Sequence, residues 1–386
     1  MDETRKPEPS SEWINVAPRA GVRKHFAPGQ GLRFALFWPY SQTPIPSALV
    51  ASRNPPVMDM RNHVELARAA EAAGLDFVLL PDGYASGSDQ ASDVGFQDPS
   101  THGVLWALPL LLATERMGVL STMHTTFMHP VQIARFGGHL DLLSGGRWGW
   151  NIVAGNRVGE ARLFGHEELP EHALRYDMAD ENVRVVKELW QTPGAISHEG
   201  QNYRVQGRMR GPRPRTRPLM VSAASSERGR RFASEHCDYL FASITKPQDV
   251  AAIRADLDAS AAETGRPAPP VLLFATAHIR DEPGAAQREW DEMQASLNPE
   301  AQKVWTSQLA KATHGGKLTR DFPVLLGTPE EVAQQARDLQ SATGIAGFVL
   351  RMPLWGAEEA RYLGRVLASL EATGHWTPPQ KRGHGW

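Results

Sequence analysis

The sequence predicts a (β/α)8 TIM barrel with insertions, and three observations predict it. Short apolar runs alternate with longer stretches whose apolar residues recur at helical spacing, and the alternation repeats eight times along 386 residues. Most of the short runs are apolar from end to end, as strands are when helices cover their sheet. No glycine triplet of the dinucleotide-binding type follows the first run, which places a closed barrel ahead of an open doubly wound sheet.

Residues 1–31, dominated by Pro, Gly and charge, read as a flexible N-terminal arm, residues 32–375 as one barrel domain, and 376–386 as a C-terminal tail. Strand one is Arg33 to Trp38. A proline-rich loop then leads to an amphipathic helix from Met60 to Ala73, which stops at Gly74. Loops of that length inside a domain are usually functional, so this one is expected to wall or cover a site. Strand two, Phe77 to Leu80, ends in Pro81-Asp82-Gly83, and a helix from Gly103 to Thr114 carries the chain to strand three, Met117 to Thr122. Pro130 opens the next helix, to Leu143, as proline does at a first helical position.

A tight turn, Ser144 to Arg147, precedes strand four, Trp148 to Val153, and a long amphipathic helix runs from His172 to Trp190. Insertions are expected near 194–218, with a small hairpin around Gly200, and near 280–326, with two helical patterns and a Gly315-Gly316 break. Leu219 to Ala223 is strand five, with a helix from Glu227; Tyr239 to Ala242 is strand six, and its helix runs from Pro247 to Thr264. Val271 to Ile279 is strand seven. Thr328 to Glu331 forms a capping box for another helix; Ile345 to Arg351 is strand eight and Gly356 to Leu370 the closing helix.

Composition excludes several classes of function. A formal charge of -2 offers no positive field for nucleic acid or an anionic membrane surface. The arginine-rich stretch from Arg204 to Arg217 lacks the interleaved aromatics that stack on bases, so it reads as a solvated or subunit-contact loop. The opening MDETRKPEPSSEW has neither the basic start nor the apolar run of a secretion signal, and no apolar run approaches a membrane span, so a cytoplasmic protein is expected. The single cysteine, Cys237, between Glu235 and Asp238, cannot form an internal disulfide and reads as structural. His63, His124 and His129 match no zinc spacing, so no metal is expected.

Ligands of parallel α/β proteins sit beyond the C-terminal ends of the strands, so polar residues there are the candidates for chemistry. These are Asp82 after strand two, Thr122 after three, Asn151 in four, and Ser225 and Ser226 after five. The last two open a helix whose free amides and dipole suit a phosphate. Each has a plainer reading beside it. Asn151 can cap the following loop, Thr122 can end a strand, and Asp82-Gly83 is a turn signal in its own right. His172 can cap its helix and Glu160 can be a solvated loop charge.

The run SGGRWGWNIV at 144–153, with EARLFG at 160–165 and HALRY at 172–176, resembles the luciferase-like, FMN-dependent two-component monooxygenases. The similarity is to the branch holding the nitrilotriacetate, dibenzothiophene-sulfone and pyrimidine monooxygenases, and it spans roughly residues 32 to 370. The resemblance implies an enzyme that takes FMNH2 from a separate NAD(P)H:flavin reductase and inserts one atom of O2 into a small organic substrate, heterocyclic or containing sulfur or nitrogen. It also implies a homodimer or homotetramer. Positions matching Asp82, Thr122, Asn151, Glu160, His172, Arg175, Tyr176, Ser225 and Ser226 would surround FMN, with Asn151 and Thr122 beside the reactive ring and His124 as a possible acid–base or substrate contact. The chain departs from that branch at Val153-Ala154-Gly155, where relatives commonly carry Val-Thr-Ser. F420-dependent hydride transfer on the same barrel and a non-catalytic flavin-binding role are the alternatives. An apolar pocket from Trp38, Tyr40, Leu80, Trp150 and Met352 to Trp355 is expected to favour a neutral substrate over a highly charged chelate.

Overall fold

The structure, a computed structural model, describes residues 31–155, 157–244, 246–312 and 322–382. In chain order these form β1 (Arg33–Phe37), α1 (Ala48–Arg53), α2 (Met60–Ala73), β2 (Phe77–Leu80), α3 (Asp89–Asp93), α4 (Gly103–Ala113), β3 (Gly118–His124), α5 (Pro130–Ser144), β4 (Trp148–Val153) and α6 (Val158–Leu163). They continue with α7 (His172–Gln191), β5 (Ile196–Glu199), β6 (Arg204–Gly207), β7 (Leu219–Ser222), α8 (Glu227–His236), β8 (Tyr239–Ala242), α9 (Asp249–Thr264) and β9 (Val271–Ile279). The last elements are α10 (Ala285–Ala295), α11 (Pro299–Ala312), β10 (Val324–Gly327), α12 (Pro329–Thr343), β11 (Gly347–Arg351) and α13 (Ala357–Ala372).

Eight parallel strands close a ring in the order β1, β2, β3, β4, β7, β8, β9, β11 and back to β1. This is the expected (β/α)8 barrel. β5 and β6 form the expected antiparallel hairpin around Gly200, outside the ring. Sequence periodicity missed β10, which pairs with Thr276 to Ile279 after β9 has run beside β11 through Thr276. The expected Gly315-Gly316 break lies outside the described residues.

Strand side chains alternate between two environments, because successive residues of a strand point to opposite faces. Ala35, Leu79, Leu120, Val221, Tyr239 and Val349 fill the barrel interior. Leu36, Val78, Trp148, Trp150, Met220 and Phe348 point outward into the shell of helices. The indole N–H groups of the two outward tryptophans donate to Ser121 Oγ (3.2 Å) and the Met123 carbonyl (3.3 Å). Gly145 and Gly146 take positive φ (68° and 91°) at the end of α5, which turns the chain sharply into β4. Arg147, wholly buried, then donates to the carbonyls of Leu111, Thr114 and Met117 and so ties α4 to that turn.

Cys237 is buried, and burial pushes its thiol up to about 12. Among the described residues no helix is long and apolar enough to cross a membrane.

The segment after α13 closes the N-terminal face of the barrel. Trp376 is buried, and Gly31 pairs with it. The Asp76 carboxylate accepts the Phe34 N–H at 2.8 Å, lies 3.7 Å from Arg33 Nε and pairs with Arg382, all at buried positions. Burial pushes the Asp76 carboxyl upward, and Arg382 and Arg33 oppose that shift. Removing one partner of a buried pair leaves a charge without its counter-ion, and Arg33 remains as a partial one. Arg382→Ala is therefore expected to lower the unfolding free energy by about 3 kcal/mol in a urea titration. An unchanged midpoint would contradict this role for the segment.

Candidate active site

The C-terminal ends of the ring open into a cavity of about 290 Å³. Its floor and walls come from the inward positions of the strands: Phe37, Thr122, Asn151, Phe241, Phe274 and Arg351. Tyr40 and Pro44 from the loop after β1, Phe96 and Gln97 after α3, and Trp305 of α11 form the upper wall, so the proline-rich loop does wall the site.

Thr122 and Asn151 are register partners on β3 and β4, both inward. Asn151 Nδ2 donates to Thr122 Oγ1 at 2.8 Å, and Asn151 Oδ1, buried, has no hydrogen-bond partner among the described residues. The pair therefore offers the cavity a hydroxyl proton and an amide oxygen. Because a hydroxyl both donates and accepts, the reversed amide would present an N–H instead. Neither residue has its plainer role: Asn151 lies within β4, paired in register with Val221, and β3 continues two residues past Thr122.

Asp82 also lines the cavity, but its carboxylate is occupied by the backbone N–H groups of Gly83 (2.8 Å) and Gly103 (3.0 Å) and lies 3.4 Å from His102 Nδ1. It thus closes a turn and holds the first N–H of α4, whose cap is His102. Burial pushes its carboxyl upward, against the opposing pull of His102.

His124 and Glu160 sit behind Asp82 and outside the cavity lining. Burial of Glu160, 1% exposed on α6, removes its reading as a solvated charge. One carboxylate oxygen accepts the Tyr84 N–H at 3.1 Å; the other lies 4.0 Å from His124 Nδ1, and neither of those last two atoms has a hydrogen bond among the described residues. His124 Nε2 contacts the Asp82 carbonyl oxygen at 3.2 Å, and its ring is held between Tyr84 and Phe127.

A second cluster joins the starts of α7 and α8. Ser226 caps α8 by accepting the Gly229 N–H at 3.1 Å, and its hydroxyl meets His172 Nε2, also at 3.1 Å. His172 is the first residue of α7 and gives that helix no cap. The Tyr176 ring packs on His172 with centroids 5.0 Å apart, and Gly229 makes room for its hydroxyl: a Cβ there would lie 2.4 Å from it. Ser225 is exposed and its carbonyl accepts from Arg230. Arg175 is 7% exposed, and among the described residues its guanidinium has no carboxylate and no hydrogen-bond partner. Burial lowers its pKa. A desolvated cation without a counter-ion is a place for an anion.

The structure thus puts three of the sequence candidates, Asp82, Thr122 and Asn151, on one cavity, and His172, Arg175, Tyr176, Ser225 and Ser226 at the mouth of two helices beyond β7. Ala223, three residues before Ser226, lines the cavity and connects the two places.

The expected aromatic pocket is corrected. Trp38, Leu80 and Trp150 point outward into the helical shell, and Met352 and Trp355 line with Trp38 a small adjoining cleft, which meets the main cavity at Phe37, Tyr40, Pro44 and Arg351. Only Tyr40 of that set faces the main cavity; Phe37, Phe241 and Phe274, which sequence reasoning missed, supply the rings. Arg351 and Arg157, also missed, give the cavity two guanidinium groups, so it is not neutral. The signal available was the two-residue alternation along each strand, counted from Asn151 and carried around the ring.

Residues 32–346 match the family model described as luciferase-like monooxygenase. The chain is 27% identical over 314 residues to nitrilotriacetate monooxygenase component A of Aminobacter aminovorans, covering 72% of this chain and 69% of that protein. It is 29% identical over 305 residues to dibenzothiophene-sulfone monooxygenase of Rhodococcus erythropolis, covering 71% of this chain and 65% of the relative. The fold is shared with a riboflavin lyase solved with modified FMN and riboflavin, at a TM-score of 0.82 and 24% identity over 92% of this chain and 96% of that one.

The Thr122–Asn151 bond has a direct test. Thr122→Val strands the buried amide and is expected to cost about 1–2 kcal/mol of stability. In an Asn151→Leu background the same change is expected to cost close to nothing, and additive costs in this double-mutant cycle would contradict the coupling.

Proposed function

The chain belongs to the luciferase-like monooxygenase family, and from that premise we propose that it is the oxygenating component of a two-component system. It takes FMNH2 from a separate NAD(P)H:flavin reductase and uses O2 to oxygenate a small organic substrate, heterocyclic or containing sulfur or nitrogen. The observation that carries the FMN reading is Arg175, a buried guanidinium with no counter-ion among the described residues, in the first turn of α7, the helix whose His172 meets Ser226 at the start of α8.

The residues fit the cofactor on two further grounds. Tyr176 fills the space left by Gly229 and points its hydroxyl at the same helix start, and Asn151 leaves a buried amide oxygen unpaired at the cavity wall. Arg175, Tyr176, Ser225, Ser226 and His172 would hold the phosphate by charge-assisted and hydroxyl hydrogen bonds. Asn151 and Thr122 would face the ring system, where an acceptor and a donor already fixed in place need no reorganisation. Reduced FMN, when bound, supplies the two electrons that activate O2. Both wall residues are neutral and cannot themselves deliver a charge-neutralising proton. The aromatic wall of Phe37, Phe241 and Phe274 keeps bulk water from the reacting face.

Purified chain supplied with FMN, NADH and a generic flavin reductase is expected to consume O2 and to add one oxygen atom to a substrate, read by mass spectrometry. Asn151→Ala is expected to keep its fold and lose that turnover. Turnover with NADH and no reductase would contradict the two-component reading, and anaerobic hydride transfer with F420 together with indifference to FMNH2 would replace it.

The phosphate assignment is tested separately. Arg175→Met is expected to raise the Kd for FMN by at least about tenfold while leaving that for riboflavin unchanged. Equal losses for both ligands would contradict it.

A further inference from the structure

The wall facing Asn151 has a chemistry of its own. Around the eight-strand ring, β11 stands opposite β4 and β9 opposite β3. Arg351 on β11 and Thr276 on β9 are register partners, as Thr122 and Asn151 are across the barrel. Arg351 Nε and Nη2 both donate to Thr276 Oγ1, at 3.2 and 2.8 Å, and the guanidinium lies 5.5 Å above the centre of the Phe274 ring. One edge of the fork is thereby spent on fixing its direction. Among the described residues Nη1 makes no hydrogen bond and no carboxylate pairs with the guanidinium, so the edge between Nη1 and the second proton of Nη2 faces the cavity.

Three more groups at the cavity share this character. Arg157 donates only to the Ala85 carbonyl, at 3.3 Å, and likewise has no acidic partner among the described residues. Gln97, 5% exposed, has no well-formed hydrogen bond on either amide atom among the described residues, its polar neighbour being the Tyr40 hydroxyl, and its backbone is held at φ 70°. That conformation disfavours any residue but glycine, so the amide is kept at the cavity at a local cost. The Tyr40 hydroxyl lies within electrostatic reach of both arginines, and burial keeps it protonated and able to donate. Among the described residues the one carboxylate in the lining is Asp82, after β2, two strands around the ring from β11 and already bonded to backbone amides. Between these donors runs an aromatic slot: Phe37, Phe241 and Phe322 each pack against Phe274, with ring centres 5.1 to 5.5 Å apart.

We propose that this wall is the specificity site for an aromatic acid, whose carboxylate or equivalent oxyanion docks on the free edge of Arg351 with Arg157, Gln97 and Tyr40 around it. The ring then lies along the Phe274 slot, and the end remote from the acid points across the barrel to Thr122 and Asn151. An arginine held on an aromatic face with one edge free matches the planar two-oxygen geometry of such a group, which a lysine would not. The inference deepens the function proposed above, since it names the substrate class of the same cavity, but the binding it describes requires no flavin.

The experiment is calorimetric titration of the purified chain with 2-naphthoate, with 2-naphthamide as its uncharged match in shape and naphthalene-2-sulfonate as a second anion. Naphthoate is expected to bind at least about tenfold more tightly than the amide, with the sulfonate closer to naphthoate. Arg351→Gln is expected to remove that difference by weakening the acid alone, and Arg351→Lys to restore part of it. Gln97→Leu, which leaves the strands untouched, is expected to weaken naphthoate by a smaller factor. Equal binding of acid and amide, an Arg351→Gln protein that holds naphthoate as before, or no binding of either acid would overturn the proposal. Naphthoate binding in a protein that ignores FMNH2 would sink the cofactor reading and leave this one standing; reductase-dependent oxygenation with no preference for acids would do the reverse.

Discussion

Closing eight parallel strands into a ring fixes which side chains can meet. Every second residue of a strand points inward, and the register between neighbours sets the height at which each one appears. Near the C-terminal mouth those inward positions carry Thr122 and Asn151 on one side, and Thr276 and Arg351 on the other. Below them Ala35, Leu79, Leu120, Tyr239 and Val349 pack the interior, so the barrel is solid except at its upper end. The cavity is the part of the ring that the sequence leaves unfilled.

What occupies the rim is costly to keep there. Asn151 Oδ1, the Gln97 amide and the Glu160 and His124 atoms behind Asp82 are buried polar groups without a well-formed hydrogen bond among the described residues. Each such group costs on the order of 1–3 kcal/mol relative to a satisfied or apolar one. Arg175 and Arg351 add desolvated cations, and burial brings Arg351 down to about 10. A fold selected for stability alone would place apolar residues at these sites. Other buried polar atoms without a hydrogen bond, among them Trp106 Nε1, Asn182 Oδ1 and His278 Nδ1, lie elsewhere in the described residues, but those at this mouth stand together around a cavity that two desolvated arginines also serve, which marks where binding recovers the cost.

Much of this was legible in the sequence, and the failures have a common cause. The eight strands and their helices follow from hydrophobic periodicity, and Thr328 forms the expected capping box with Glu331. Asn151 stood out because an amide interrupts an apolar strand, and His172 with Tyr176 because their spacing shares a helix face. The aromatic pocket differs from the expected one because nearness to the mouth does not decide which face of the strand a side chain takes. Trp150 adjoins Asn151 in sequence, and for that reason points the opposite way. Arg351 was invisible on composition, since an arginine ending a strand looks like a solvated terminus until the ring closes and brings Thr276 beside it. Gln97 depends on a loop whose course no local pattern specifies.

Opposite ends of the mouth suit two different anions, the phosphate of the cofactor at Arg175 and the acid of the substrate at Arg351. An anaerobic crystal structure with dithionite-reduced FMN tests that division most directly. Electron density is predicted to place the phosphate within hydrogen-bonding distance of Arg175 and the first turn of α8, with the ring system against Thr122 and Asn151 and the Arg351 wall left open. A phosphate bound at Arg351 and Arg157, or a flavin ring outside the cavity, would contradict the account.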